Sequence, residues 1–238
     1  MKIAFDGMEN QIEIFPGSIT TWEIENRTLF TRICQSLRSE NGADAKESFS
    51  VWSDNNEEIA PSSAFINIGD PLELPWDNAA FSRGTADLIE RLLLDDVETR
   101  ERIETLNDQI QRFIEMLTFQ IEGQYGFEKP WNLKQYNKAF AFSVQRDEDA
   151  TYLENLIAFL DFVSDISLDK VPVFVNLKIF LDQNDLEKVF ERVFFLGLQV
   201  LLLENSIDTV SHTHERKYTI DQHFLENYGP GQSGLPPR

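Results

Sequence analysis

The chain of 238 residues is 42% hydrophobic and carries 19 Phe, enough to bury a core in one large domain, or in a principal domain with a smaller second one. Its 41 acidic residues against 21 basic ones give a formal net charge of −20, which disfavours nucleic acid as a partner of the average surface but leaves room for a local basic patch. A single cysteine, Cys34, excludes an internal disulfide framework and reads as a small apolar residue on a helix, and no apolar run is long enough to cross a membrane.

The first residues lack a basic region followed by an apolar stretch, so a cytoplasmic protein is expected. From Lys2 to Glu25 short strands follow one another, KIAF, IEIF and ITTWEIE, with a turn at Pro16 and Gly17. Thr28 to Leu37 reads as a helix, apolar at Leu29, Phe30, Ile33, Cys34 and Leu37. After a polar loop, SFSVWSDNNEEIAPSSAFINI predicts two more strands around an Asp-Asn-Asn turn, and the segment 69–78 is a connector.

The pattern changes after Trp76. Ala79 to Glu122 reads as two long amphipathic helices, with Asp95 and Asp96 placed to cap the second, better explained as a bundle or an inter-subunit contact than as part of a sheet. Gly123 and Gly126 end the run, and a further helix is expected over Tyr152 to Phe162. Val171 to Leu177 and Leu198 to Leu203 are continuous apolar runs, as buried parallel strands are, joined by a helix from Asp182 to Leu196 that stops at Gly197. The expected organisation is an α/β domain formed by residues 1–75 and 168–227, an inserted helical domain at 76–167, and a disordered Gly/Pro-rich tail at 228–238.

Strand, loop, helix and a later β-α-β unit follow the order of a P-loop nucleotidase, but the chemistry is missing. A phosphate loop needs glycines and a Lys followed by Ser or Thr, whereas the turn here is Glu25-Asn26-Arg27-Thr28, and the strand that would supply a metal-binding acid ends in Asn176. No nucleotide cofactor and no enzymatic activity are therefore expected. A hydrolase elbow is absent, and His212 and His214, spaced to share one strand face, read as exposed histidines rather than as a zinc site, which needs more ligands.

One stretch runs against the overall charge. From Lys129 to Arg146 four basic residues, Lys129, Lys134, Lys138 and Arg146, occur with no acid and with Trp131, Tyr136, Phe140 and Phe142 interleaved. A helix would put Lys134 and Lys138 on one face, as phosphate contacts require, although a solvated helix face with aromatics packed inward fits the same pattern. Glu115, Glu122 and Glu128, with acids at 147–149, surround the glycines and lack the spacing of an EF-hand.

The order of these segments, above all LFTRICQSL, the long helical run LIERLLLDDVETRERIETLNDQIQRFIEMLTFQI, the strand ending in Asn176 with Phe180-Leu181 before an acidic helix, the strand ending in Leu203-Glu204, and the closing YTIDQHFLENY, resembles the Csn-two family of type II-A CRISPR-associated adaptation proteins. The resemblance implies a degenerate P-loop-nucleotidase-like α/β domain with a parallel or mixed sheet and an inserted helical domain. It implies a homotetrameric ring that binds double-stranded DNA ends in a lysine-lined hole, without sequence specificity, and that assists spacer acquisition in antiviral defence together with the CRISPR integrase and the effector nuclease. On this reading Lys129, Lys134, Lys138 and Arg146, with Arg27 and Arg32 near the former phosphate loop, are the DNA-facing candidates, and Glu122 and Glu128 are what remains of the family's Ca2+ ligands. The alternative from the residues alone is an acidic protein-interaction scaffold or DNA mimic that binds a basic partner through its helical domain.

Overall fold

A computed structural model describes residues 1–69, 71–128, 130–144, 147 and 149–228. The expected disordered tail therefore lies outside the described residues except at position 228. The chain divides into two compact units, one of Met1–Pro75 with Arg146–Arg238 and one of Trp76–Gln145. The segment expected as an inserted helical domain, 76–167, is divided between them, with helix Tyr152–Asp165 in the first unit.

The first unit is mixed α/β and holds two sheets. Its strands are β1 (Lys2–Phe5), β2 (Ile12–Glu13), β3 (Ser18–Ile24), β4 (Phe49–Trp52), β5 (Glu58–Ile59), β6 (Phe65–Asn67), β7 (Val171–Val175), β8 (Gln199–Glu204), β9 (Glu215–Ile220) and β10 (Glu226–Tyr228). The larger sheet has the order β10-β9-β3-β8-β7-β6 and is parallel except for the β9–β10 hairpin. All seven residues of β3 are buried, so this strand is covered on both faces.

The N-terminal strands, expected to join one sheet, instead divide between two. β1 and β4 bury alternate residues, the pattern of a strand with one solvated face, and with β2 and β5 they make a separate antiparallel sheet of order β2-β1-β4-β5. Between β5 and β6 the chain forms a four-residue helix, Pro61–Ala64, where only strands were expected; Pro61 at its first position starts it without needing a backbone donor.

On one face of the large sheet Trp22, Ile24, Val171, Val173, Leu201, Leu203, Tyr218 and Ile220 join a core with Ile3, Phe5, Phe49 and Val51 from the small sheet and Leu29, Ile33 and Leu37 from the first helix and its end. That helix, α1, spans Arg27–Ser36 and is capped by Asn26, whose side chain accepts a hydrogen bond from Leu29 N. The short helix Pro61–Ala64 is α2. Leu156, Phe159, Leu160 and Val163 are buried on Tyr152–Asp165, and Leu186, Val189, Phe190 and Val193 on Gln183–Leu196, which packs against it and against β3. Each such side chain stabilises the fold by roughly 1.5–3 kcal/mol when fully buried.

The second unit holds α3 (Ala79–Asp95), α4 (Val97–Thr118) and α5 (Leu133–Ala139), so that Tyr152–Asp165 is α6 and Gln183–Leu196 is α7. Asp96, one of the two acids expected to cap, caps α4 by accepting from Thr99 N and Thr99 Oγ1 at 2.9 and 2.7 Å. No residue of α4 is buried, and Phe81 is the one buried residue of α3. Among the described residues no helix is long and apolar enough to cross a membrane.

Candidate nucleic-acid interface

α5 begins at Asn132, whose side chain accepts from Gln135 N, and this cap sets the register of the basic stretch. One turn apart, Lys134 and Lys138 then face a cleft of about 660 Å³ between α5 and the first half of α3. Its lining carries Arg83, Lys134 and Lys138 against one acid, Asp77, together with Ser82, Thr85, Asn137 and Phe142. The two lysines are not equivalent. Lys134 Nζ lies 2.9 Å from both Asp87 Oδ1 and Glu90 Oε2 on α3, and its bonds to these carboxylates hold its pKa above the ordinary lysine value.

Lys138 and Arg83 are exposed. On its other side α5 presents Tyr136 and Phe140, with ring centroids 4.6 Å apart, to a groove shared with Asn107 and Gln111 of α4. Of the interleaved aromatics Tyr136, Phe140 and Phe142 do not pack inward, at 49%, 70% and 59% exposed, whereas Trp131 is half-buried. Lys129 and Arg146 lie outside the described residues.

The other candidates sit in the first unit. Arg27 is exposed on the first turn of α1. Arg32, a turn later, is held by Glu47, 2.7 Å from its Nε, and donates to Lys46 O at 3.1 Å, which withdraws much of its guanidinium from any other anion. Glu122 and Glu128 are both exposed beyond α4. Among the described residues no group of three or more His, Cys, Asp or Glu could hold a metal ion. A calcium ion takes six to eight oxygens, so these two carboxylates by themselves do not fit one.

At the C-terminal ends of β3, β7 and β8, where an open α/β sheet would place a ligand, side chains close the crevice. Asn176 takes the left-handed conformation at φ 53°, and its Oδ1 accepts from Asn205 N at 3.0 Å. Asn205 Nδ2 in turn donates to Ile24 O at 3.0 Å, so the three strand ends are tied together.

Below this latch lies a charge network. Lys178 Nζ is 3.2 Å from Glu23 Oε1, 2.9 Å from Asp208 and 2.8 Å from Glu215, and Lys217 bonds the same Glu23 and Asp208. Burial raises the Glu23 pKa against the pull of both lysines, and its Oε2 has no hydrogen-bond partner among the described residues. Burial likewise pushes Glu204 up to about 7, although it accepts the Lys178 backbone N–H at 3.1 Å. Asp208 goes the other way: burial would raise it, but the bonds from Lys217 and Lys178 outweigh that and leave it at about 2.

The histidines are not the exposed pair expected from SHTHE. They precede β9 in a loop; His212 stacks on Phe190 with its side chain 5% exposed and bonds Glu187 at 3.0 Å, while His214 stacks on Phe194 at 3.8 Å. Cys34, half-buried on α1, has its thiol pKa pushed up to about 11 by burial, so it is protonated at neutral pH.

A family model described as CRISPR-associated protein (Cas_Csn2) matches residues 43–224, about three-quarters of the chain. No curated protein matches it. The match takes in α3, α4 and α5 of the second unit as well as β7, α7 and β8 of the first, so it covers the basic stretch and, apart from β3, the strands at the closed crevice, and the chain belongs to the CRISPR-associated Csn2 family.

Proposed function

We propose that this protein binds the ends of double-stranded DNA during CRISPR spacer acquisition in the cytoplasm, without catalysing a reaction, as a homotetrameric ring with DNA threaded through a basic hole. The observation that carries the reading is the cation-lined cleft of the second unit in a chain of net charge −20. An acidic exterior repels DNA from every other approach, so a local basic lining steers the duplex to one place. The exposed apolar face of α4 supports assembly from several copies: Leu106, Ile110, Phe113, Ile114 and Leu117 are between 44% and 67% exposed.

The first unit is then a retired nucleotidase-like scaffold. The turn Glu25–Thr28 lacks the glycines and lysine of a phosphate loop, and Lys178 and Lys217 are spent on buried carboxylates. Integrase and effector nuclease are the partners the family implies. Glu122 and Glu128 would contribute to a calcium site only with donors from elsewhere, and no step of the proposal passes through the ion.

The test is charge reversal on α5. Lys138→Glu is expected to weaken retention of linear duplex and to reduce the slope of log K against log salt by about one, as loss of one phosphate contact does. Lys134→Glu has the smaller effect, since Asp87 and Glu90 already neutralise that lysine. Unchanged retention in both variants removes this face from the site. The same exposed α4 face also favours a second reading, an acidic scaffold that docks a basic protein, and that reading requires no duplex binding even at low salt.

A further inference from the structure

The cleft between α3 and α5 has the size of a small-ligand site as well as a basic lining. Its volume of about 660 Å³ falls within the roughly 300–1,000 Å³ of small-molecule sites. Lys134 is compensated by Asp87 and Glu90, so Arg83 and Lys138, against Asp77, are the lining cations left to meet an anion. Ser82 and Asn137 add polar groups that can bond phosphate or sugar oxygens. Phe142 offers an exposed ring, which stacks on any base because every base has a π face.

We propose that this cleft takes a single nucleoside phosphate, with the phosphate drawn to Arg83 and Lys138 and the base against Phe142. The idea rests on the reading above that the cations of the second unit meet phosphate, and adds that they hold one nucleotide in a pocket rather than only a stretch of backbone. Two sources carry the same chemistry: a free nucleotide, and the terminal nucleotide of a DNA strand.

The test uses the full chain at low salt, titrated calorimetrically with deoxyadenosine monophosphate, deoxyadenosine and inorganic phosphate, with linear duplex binding measured in parallel. The monophosphate is expected to bind more tightly than either of its parts, and Arg83→Glu, Lys138→Glu and Phe142→Ala each to weaken it by about tenfold. A duplex bearing a 5′-phosphate that displaces the monophosphate, where its 5′-hydroxyl counterpart does not, assigns the strand end as the source; failure to displace assigns the free nucleotide. Inorganic phosphate binding as tightly as the monophosphate overturns the nucleoside part of the proposal. Duplex binding without monophosphate binding overturns the cleft site and leaves the DNA reading standing, and loss of both overturns both.

Discussion

Glu204 is a carboxyl group with a cost attached. It is 2% exposed at the end of β8, and burial pushes its pKa up to about 7 from an ordinary 4.5. Between those values the folded state holds a proton that the unfolded chain releases. The contribution of Glu204 to stability is therefore complete below pH 4.5 and is lost as pH rises through 7, by about 3 kcal/mol. Glu204→Gln keeps an oxygen to accept the Lys178 N–H, and it is expected to flatten the fall in stability over this window, read by urea unfolding at several pH values. An identical pH profile in variant and parent would place the titration elsewhere. Asp208, held near 2, acts at the other end: its contribution is present above the unfolded pKa and fades as pH falls toward 2.

Lys178 is the centre of the same network. Its side chain is 10% exposed and reaches three carboxylates, and their proximity outweighs burial to keep it charged. Lys178→Met leaves Glu23 and Glu215 buried with Lys217 as their remaining cation, and is expected to cost about 3 kcal/mol in the same unfolding measurement. A loss below about 1 kcal/mol would mean that the network is wet rather than sealed. None of this was readable in advance, because Glu23 and Lys178 lie 155 residues apart and only the parallel register of β3 and β9 brings Lys217 alongside Thr21. The one local sign was an acid at or next to the end of two buried strands, at Glu204 and Glu23.

At the scale of elements, the unit β7–α7–β8 was legible almost to the residue. Continuous apolar strands and a 3.6-residue stripe ending at Gly197 predict it, and Gly197 sits at φ 66°, the left-handed cap expected there. The division of the N-terminal strands into two sheets was not legible, since strand patterns state burial and not partners. α3 and α4 were legible as helices, but their apolar stripes do not say what covers them, and among the described residues none of α4 is buried. Ile110→Glu with Leu117→Glu is expected to lower the solution mass by sedimentation to that of a smaller assembly while leaving the helical circular dichroism unchanged. A mass equal to that of the parent would show that another face holds the copies together. The basic stretch was legible as a motif, yet the inequality of Lys134 and Lys138 comes from Asp87 and Glu90 on another helix, and Arg83 lies too far along the chain to have been grouped with them.

For the whole molecule, a net charge of −20 and DNA binding are compatible only if the duplex meets a restricted basic lining. A ring that encloses its DNA makes a topological demand that no open groove makes, because a duplex without ends cannot enter. The most direct measurement is binding of linear and covalently closed circular duplexes of the same sequence, each across a range of salt. Retention of the linear form, falling steeply with salt, and no retention of the closed circle is the expected result. Equal binding of the two forms would contradict the threaded ring.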